Sequence, residues 1–321
     1  MSPRLITLTL NPALDLDADA DEVVPTHKIR MHHEHADPGG GGVNVARVLH
    51  ELGADVVAIL AAGGASGRVL EEMLDEAGVE RCSVLIRGRT RVSLNVLDKH
   101  TGLEYRFIPE GPTLSETEFS EFLAAAESAQ GDWVIASGSL PNGVPDDTYA
   151  RLAEIAAAKG QRFVLDTSGE ALKLTLEHGG LTLVKPSLNE LEHLVGRELR
   201  DPAAQDAEAM ALVRSGATEM VATTLGHEGA LLATRDGVLR VPAMDVPMHS
   251  TVGAGDAFLA AMTLALARGS SPIDALAWGT AAGATVIACA GTARLQRSEV
   301  EVRYLELLAA RRGLRITPSA A

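Results

Sequence analysis

The residue with the clearest chemical meaning is Asp256, which ends the run Ser250-Thr251-Val252-Gly253-Ala254-Gly255-Asp256. An apolar stretch with helical spacing, Ala257 to Met262, follows it directly. Small residues at a helix start leave the free backbone amides accessible to an anion, and the helix dipole favours negative charge there. A carboxylate beside such amides can take a proton from a hydroxyl while the amides hold a transferring phosphoryl group. The carboxylate can also simply complement the dipole, and both roles can coexist.

A second candidate segment is the glycine run Gly39-Gly40-Gly41-Gly42, which also precedes a helical pattern. Four glycines permit an approach between backbone and ligand that side chains would block. Asn44, one turn into the helix, could hold a hydroxyl of a ligand such as a sugar, or could cap the helix. A flexible connector is the alternative interpretation of the glycine run.

Two further segments follow predicted strands. Thr224-Leu225-Gly226-His227-Glu228-Gly229 could turn its amides towards a nucleotide, although composition alone favours an ordinary glycine turn. In Lys185-Pro186-Ser187-Leu188-Asn189-Glu190, Pro186 is placed to start a helix. Glu190 could orient hydrated magnesium, or it could be only a first-turn acid on a solvated face.

The basic residues are sparse enough that their positions matter. Lys28, Arg30 and His32 alternate with Ile29 and Met31, which predicts a strand with its cations on one face. In a hairpin that turns between Lys99 and His100, Arg106 faces Ser93 and shares a face with Arg91; ordinary exposed arginines are the alternative. Zinc is not expected, since the nearby histidines lack the compact spacing of metal ligands. These are His27, His32, His33 and His35.

Composition excludes several classes of function. The formal charge of −15 argues against nucleic acid as a partner, because phosphate binding needs a basic face. No apolar stretch is long enough to span a membrane, and the amino terminus lacks the features of a signal peptide. Cys82 and Cys289 are too few for a disulfide framework, so a reducing, cytoplasmic location is expected. No Gly-Lys dipeptide supports a Walker A loop, and Asn44 and Phe258 interrupt the dinucleotide-binding spacing.

The elements that must position these residues follow an alternating pattern. Ser115 with Glu118 predicts a capping box, Arg91 to Leu97 and Glu104 to Ile108 predict a hairpin, and helices are predicted from Val45 to Gly53 and from Arg68 to Ala77. Together the pattern indicates an α/β fold with a doubly wound, mostly parallel sheet flanked by helices, whose ligands bind beyond the carboxyl ends of the strands. Strands are predicted at Leu5–Leu10, Val56–Leu60, Trp133–Ala136, Arg162–Leu165, Leu181–Val184, Met220–Thr224 and Ala230–Ala233.

From about Leu5 to Val302 the chain resembles the ribokinase-like (PfkB) carbohydrate kinases, and most closely the minor bacterial 6-phosphofructokinase type. The resemblance is carried by five segments that match in order and spacing. They are Thr7-Leu8-Thr9-Leu10-Asn11-Pro12-Ala13-Leu14-Asp15, the glycine run through Arg47, Ser137-Gly138-Ser139-Leu140-Pro141, Asp166-Thr167-Ser168-Gly169-Glu170 and Ser250 to Asp256.

The resemblance implies a role for each candidate residue. Asp256 would be the base that deprotonates the acceptor hydroxyl, with the amides of Gly253, Ala254 and Gly255 holding the phosphoryl group. The sugar ligands would be Asp15, Gly40, Gly41 and Asn44, and the existing sugar phosphate would be held by Lys28, Arg91, Ser139 and, from a neighbouring subunit, Arg30. ATP would be bound by Lys185, Ser187, Thr224, Gly226, Gly229 and Ser250. Glu190 would organise Mg²⁺ through water, and K⁺, which family members often hold, would lie near Val252 and Val286.

The resemblance also implies a whole-chain organisation and a substrate. Residues 1–321 would form one kinase domain with a small β-sheet lid from about 16–37 and 88–109, and two lids would pair in a homodimer. The expected reaction phosphorylates fructose 6-phosphate at its 1-hydroxyl to fructose 1,6-bisphosphate. The alternatives are fructose 1-phosphate and tagatose 6-phosphate, whose kinases usually read Gly-Gly-Lys-Gly where this chain has four glycines. A non-catalytic sugar-binding relative is disfavoured because Asp256 is present.

Two departures from the family pattern stand out. Ser187 replaces the usual asparagine of the Lys-Pro-Asn-x-x-Glu motif, which shortens a polar contact to metal or nucleotide. The segment Cys289-Ala290-Gly291-Thr292-Ala293 is less polar than in similar sequences, so nucleotide regulation through it is not carried over.

Overall fold

The computed structural model describes residues 2–248, 250–289 and 295–310, and the backbone of 317–318. Most of the non-polar segment that begins at Cys289 therefore lies outside the described residues. The strands are β1 Arg4–Thr9, β2 Ala13–Ala20, β3 Met31–Gly39, β4 Asp55–Ala62, β5 Glu80–Leu85, β6 Arg91–Asp98, β7 Glu104–Phe107, β8 Trp133–Ser137, β9 Arg162–Asp166, β10 Leu181–Val184, β11 Thr218–Thr224, β12 Ala230–Thr234, β13 Gly237–Val241 and β14 Thr317–Pro318. The helices are α1 Gly41–Glu51, α2 Gly64–Glu76, α3 Glu116–Ser128, α4 Thr148–Ala158, α5 Gly169–His178, α6 Leu188–Val195, α7 Pro202–Arg214, α8 Ala254–Ala267, α9 Pro272–Ala288 and α10 Arg297–Ala310, with a 3₁₀ turn at Gly226–Glu228.

The large sheet has the strand order β14-β13-β12-β11-β10-β9-β8-β1-β4-β5. From β5 to β11 all neighbours are parallel, and β12 to β14 add an antiparallel edge. This confirms the predicted α/β fold. The chain winds outwards in opposite directions from β1, so the point between β1 and β8 is where ligands of such sheets bind.

Two hydrophobic layers cover the two faces of this sheet. Alternate residues of β1 point into different layers: Leu5 packs with α1, α8 and α9, whereas Ile6 and Leu8 pack with α3, α4 and α5. Helix α8 is buried on nearly every side, from Ala257 to Ala265. Because α8 is enclosed by the core, its N-terminus and Asp256 are held in a fixed position relative to the strand ends.

Capping residues set the starts of several helices. The predicted capping box is confirmed at α3, where Ser115 accepts from the amide of Glu118 and Glu118 accepts from that of Ser115. The same reciprocal arrangement occurs at α6 between Ser187 and Glu190. Helix α2 begins at Gly64, four residues before the predicted start at Arg68. No helix among the described residues combines the length and apolarity needed to cross a membrane.

A second, four-stranded sheet has the order β3-β2-β6-β7. It contains most of the two segments expected to form a lid. The β6–β7 hairpin turns around Asp98, whose Oδ1 accepts hydrogen bonds from the amides of His100 and Thr101 at 2.9 and 3.2 Å. Since Asp98 is 1% exposed, it is the fixed point of this turn.

Two predictions in the small sheet are wrong in detail. The strand expected at Lys28–His32 begins only at Met31, and Lys28 and Arg30 lie exposed in the loop between β2 and β3. Arg106 faces Asn95 and not Ser93. Because this error is two residues, and strand side chains alternate with a period of two, Arg106 still shares a face with Arg91.

Candidate active site

Asp256 lies in the first turn of α8, above the carboxyl ends of β8, β9 and β10. Gly253 caps the helix in a left-handed conformation, with φ of 76° and ψ of −4°. The first amides of a helix have no partners within it, so those of Gly255 and Asp256 face the end of the helix. The Oδ2 atom of Asp256 accepts a hydrogen bond from Nδ2 of Asn44 at 3.0 Å. The site thus places a carboxylate and an anion-binding helix end at one point.

The protonation of Asp256 is shifted towards neutrality. Burial raises the pKa of this carboxyl from 3.8 to about 7, and the negative charge of Asp166 adds to the effect. The hydrogen bond from Asn44 and the charge of Lys185 act in the opposite direction. A base whose pKa lies near the working pH is both available and effective, which suits Asp256 to proton transfer.

A buried ion pair lies directly below this helix end. The Nζ atom of Lys185 is 3.1 Å from Oδ1 of Asp166, and both side chains are less than one-sixth exposed. Burial alone would lower the pKa of Lys185, but the charge and hydrogen bond of Asp166, together with the charges of Asp256 and Glu190, outweigh burial and raise it. Lys185 also approaches the backbone of Gly255, where a Cβ atom would lie 3.5 Å from its Nζ. A permanently charged ammonium therefore sits beside the anion-binding amides.

The glycine run packs tightly between the strands and α1. A Cβ atom at Gly41 would lie 2.2 Å from Oγ of Ser137, and one at Gly42 would lie 2.4 Å from Oγ1 of Thr9. The run is therefore a close-packed junction and not a flexible connector. Its tight fit brings the start of α1, and with it Asn44, against the ends of β1 and β8.

Strand β2 places Asp15 in the same region. It lies opposite Ser93 of β6, and Ser93 hydrogen-bonds to its carboxylate. Burial raises the pKa of Asp15, while Arg91 and Arg106 counteract the rise. Two residues further along both strands, Asn95 lies opposite Asp17 and donates to its Oδ1 at 3.0 Å. One face of the small sheet therefore presents a row of carboxylates and amides to the site.

The proposed phosphate ligands are brought together only in part. Arg91 donates to the backbone carbonyls of Pro109 and Asn11, each at 3.0 Å. Asn11 in turn donates to Oγ of Ser139 at 3.2 Å, which joins Arg91 and Ser139 through one residue. Lys28 and Arg30 lie exposed in their loop and do not line the cavity described below. The contribution of Arg30 from a neighbouring subunit stays a prediction.

The residues expected on the nucleotide side lie at adjacent strand ends. Ser187 forms an isolated parallel bridge with Thr224, which places the segments after β10 and β11 side by side. Gly226 is exposed and begins the 3₁₀ turn that follows. Gly229 closes that turn, where a Cβ atom would lie 2.1 Å from the carbonyl oxygen of Val241. Of these turn residues, Gly226 leaves its backbone open to solvent, whereas Gly229 is close-packed.

Glu190 has a structural role that the sequence left open. Its Oε2 accepts from the amide and the hydroxyl of Ser187 at 2.7 and 2.8 Å, so Ser187 and Glu190 together cap α6. The replacement of asparagine by serine at this position therefore yields a strong helix cap. Glu190 also acts electrostatically on Asp166 and Lys185, which places its charge near the site.

A cavity of about 550 Å³ lies between α1 and the small sheet, and Asp256 is not part of its wall. Its wall includes Asp15, Asn44, Ser250, Val252, Gly253 and Val286. The hydroxyl of Ser250 accepts from the amide of Val252 at 3.2 Å, which orders the segment before α8. The cavity is large enough for a sugar phosphate and adjoins both the small sheet and α8.

Magnesium fits this site only together with other ligands. Among the described residues no three histidine, cysteine or carboxylate side chains cluster closely enough to hold a metal ion. Mg²⁺ commonly keeps several waters and binds through one or two carboxylates plus the phosphates of a nucleotide. The carboxylate of Glu190 meets that requirement, so this residue fits a hydrated ion that binds together with nucleotide phosphates.

Sequence reasoning missed two contributors to the site. Asp166 belongs to one of the five segments that carry the family resemblance, but the sequence predicts no role for it. Its role depends on pairing with Lys185, which lies at the end of a different strand. The pair Asp17 and Asn95 was missed because it depends on the parallel β2–β6 register. A polar residue directly after each of several parallel strands was the only signal available.

Three comparisons show which known proteins this chain is similar to. Residues 9–298 match the pfkB family of carbohydrate kinases. The ATP-dependent 6-phosphofructokinase isozyme 2 of Mycobacterium tuberculosis is 43% identical over 311 residues, covering 96% of this chain and 90% of that protein. Two crystal structures of phosphofructokinase-2 from Escherichia coli, one with fructose 6-phosphate and one with potassium, give TM-scores of 0.89 and 0.91. Each crystallised protein is 36% identical to this chain in sequence, and each match covers 95% of this chain and 99% of the crystallised chain.

Proposed function

The chain belongs to the pfkB family of carbohydrate kinases and is an ATP-dependent sugar kinase, and we propose that it phosphorylates fructose 6-phosphate at the 1-hydroxyl. The observation that carries the proposal is the position of Asp256. A carboxylate with a pKa of about 7 lies at the open end of α8, beside a charged lysine, and its hydrogen-bond partner Asn44 lines a cavity of sugar-phosphate size. This is the arrangement that proton removal and phosphoryl transfer both need.

The proposed mechanism assigns the proton to Asp256. Asp15 and the backbone at Gly40 and Gly41 hold the sugar hydroxyls, and the acceptor hydroxyl lies next to the free carboxylate oxygen of Asp256. This oxygen takes the proton as the hydroxyl oxygen attacks the terminal phosphorus of ATP. The amides of Gly253, Ala254 and Gly255 hold the transferring phosphoryl group, and Lys185 balances its charge. ADP then leaves from the side of Ser187, Thr224, Gly226, Gly229 and Ser250.

Two cations complete the proposed site. Mg²⁺ would be held through water by Glu190, and it neutralises phosphate charge when bound. K⁺ would lie near Val252 and Val286, whose positions on one cavity wall support this assignment. Further support comes from the potassium complex of the Escherichia coli relative.

The proposed substrate is supported by the names of the relatives and by the packing of Gly41. The mycobacterial relative is a 6-phosphofructokinase, and the Escherichia coli relative was crystallised with fructose 6-phosphate. At Gly41, the third position of the glycine run, any side chain would meet Oγ of Ser137. The lysine expected there in kinases of fructose 1-phosphate or tagatose 6-phosphate therefore does not fit this backbone.

We also propose that two chains pair through the small sheet. Leu16, Leu94 and Phe107 lie opposite one another across β2, β6 and β7, on the face turned away from Asp15. Phe107 is 57% exposed, and the neighbouring Val92 is 38% exposed on the same face. An apolar face between open strand edges is a liability in an isolated molecule, and pairing removes it.

The test of the proposed reaction is a comparison of four sugars in a coupled assay of ADP release. Catalytic efficiency should be highest with fructose 6-phosphate, lower with tagatose 6-phosphate, and far lower with fructose 1-phosphate and free fructose. A higher efficiency on fructose 1-phosphate would overturn the substrate assignment and leave the kinase assignment standing. Absence of ADP release with every sugar would contradict the proposed function as a whole.

A further inference from the structure

We propose that Asn44 is a positioning residue for the base: its carboxamide holds one oxygen of Asp256 and leaves the other directed at the sugar hydroxyl. This inference rests on the proposed function, in which Asp256 removes the proton. It goes beyond the role of sugar ligand that the family resemblance implies for Asn44. The two roles are compatible, because an amide has a second N–H and an acceptor oxygen.

The contact itself is direct and joins distant parts of the chain. Nδ2 of Asn44 donates to Oδ2 of Asp256 at 3.0 Å, across 212 positions of sequence and between α1 and α8. Bonds to an ionised acceptor are among the stronger hydrogen bonds in proteins. Such a bond restricts the rotation of the Asp256 carboxylate.

The surroundings of Asn44 make it a rigid support. The backbone N–H of Asn44 donates to the carbonyl oxygen of Gly40 at 2.9 Å. The neighbouring residues Val43 and Val45 are fully buried in the core. Two residues before Asn44, Gly42 packs so closely on Thr9 that no side chain fits. Asn44 can therefore hold Asp256 without a large loss of its own freedom, as a preorganised site requires.

Electrostatics gives this bond a measurable consequence. Four groups act on Asp256: Asp166 and Asp15 disfavour its charge, while Asn44 and Lys185 favour it, against a background of burial. Loss of the Asn44 donor removes one of the two favourable contributions. The carboxylate would then be protonated over a wider range of pH, and the base would be inactive at neutral pH for a larger share of the time.

The experiment is the pH profile of catalytic efficiency towards fructose 6-phosphate, at saturating MgATP, for wild type, Asn44→Ala and Asn44→Asp. Efficiency follows ionisations of the free enzyme and free substrate. The ionisation of the sugar phosphate is common to all variants, so differences between variants report the enzyme. We expect the acidic limb to move up by about one pH unit in Asn44→Ala, since hydrogen bonds to charged groups have that magnitude. It should move further in Asn44→Asp, which adds a like charge.

Two control variants bracket the result. Asp166→Asn removes a negative charge that disfavours the ionised base, so its acidic limb should move down. Asn142→Ala removes an exposed side-chain bond to Glu110, at 3.2 Å, and should leave the limb in place. Opposite shifts at Asn44 and Asp166 are not expected from general damage to the fold.

The outcomes separate the inference from the function. If both Asn44 variants raise the Michaelis constant for sugar equally at every pH and leave the acidic limb unmoved, Asn44 is a sugar ligand only and the inference is wrong. Asn44→Asp keeps the volume of the side chain, so it tests the inference even if Asn44→Ala does not fold. An active Asp256→Asn variant would instead overturn the proposed function from which the inference starts.

Discussion

The proposed reactivity of Asp256 as a base depends on the same burial that makes its charge costly. The pKa of its carboxyl is about 7 in the folded chain and near 3.8 when exposed, so the folded state binds its proton more tightly than the unfolded state does. The stabilisation of the protonated form is complete below pH about 4 and is lost as the pH rises through about 7. At neutral and basic pH the wild-type chain therefore carries a destabilising charge at its own active site.

We predict from this that Asp256→Asn is more stable than wild type at basic pH. The amide keeps the volume and stays neutral, so the difference in melting temperature should grow between pH about 4 and about 7 and then level off. Thermal melts of the two proteins across this range provide the measurement. Asp236→Asn, at an exposed site on the β12–β13 turn, is the control and should show no such growth. Equal melting temperatures at pH 8 would contradict the pKa assignment.

Glu190 caps α6 and is proposed to hold Mg²⁺ through water, and one substitution distinguishes these two roles. Glutamine also completes a capping box, so Glu190→Gln should keep the cap of α6 while removing a negative charge. We expect it to raise the Mg²⁺ concentration needed for half-maximal activity, with a smaller change in the requirement for sugar. Glu118→Gln alters the matching capping box of α3 and should leave the Mg²⁺ requirement unchanged. An unchanged requirement in Glu190→Gln would leave Glu190 as a helix cap alone.

At the scale of elements, the glycine run is a packing device that sets the position of α1. We predict that Gly41→Ala lowers catalytic efficiency about a hundredfold, because its Cβ would meet Ser137 and displace the loop by a fraction of an ångström or more. Steady-state kinetics and thermal melts check this together. Gly160→Ala is the control: its φ is 70° and its Cβ would meet nothing within 4 Å, so it should cost some stability and no activity.

The elements that the sequence predicts best are those that the core determines locally. The strands at Trp133, Arg162, Leu181 and Met220 are confirmed to within two residues, because each is a short buried run between turn signals. The strand at Lys28 was wrong, since alternation in an exposed loop carries no burial signal. Strand β3 also contains a register shift opposite β2, where His33 has a φ of 56°. Such irregular pairing depends on the partner strand and not on local pattern.

The sequence predicts those parts of the candidate site that lie directly next to a strand of the large sheet or a helix packed on it. Asp256, Lys185 and the glycine run were identified because a polar or glycine residue directly follows or precedes a strong element. The donor from Asn44 to Asp256 and the pairing of Lys185 with Asp166 were not predicted. Both depend on how closely two elements approach, which is a tertiary quantity that no local pattern encodes.

At the scale of the whole molecule, the small sheet should control assembly. We predict that Phe107→Asp shifts the protein towards a monomer at micromolar concentration, because it places a charge on the apolar outer face. Leu85 is a matched control, since it is 77% exposed on β5, an edge strand of the large sheet. Light scattering after size exclusion should show an unchanged mass for Leu85→Asp. A wild-type monomer with full activity would contradict pairing through this sheet.

The central claim is that Asp256 removes the proton from the sugar hydroxyl, and one experiment addresses it most directly. Wild type and Asp256→Asn are each given MgATP and fructose 6-phosphate, with product followed by phosphorus NMR and sugar binding by calorimetry. We predict fructose 1,6-bisphosphate from wild type, a rate lower by roughly 10²–10⁴-fold in the variant, and nearly equal sugar affinity in both. Turnover by Asp256→Asn within a factor of about ten of wild type would contradict the assignment, because loss of a general base costs more than that.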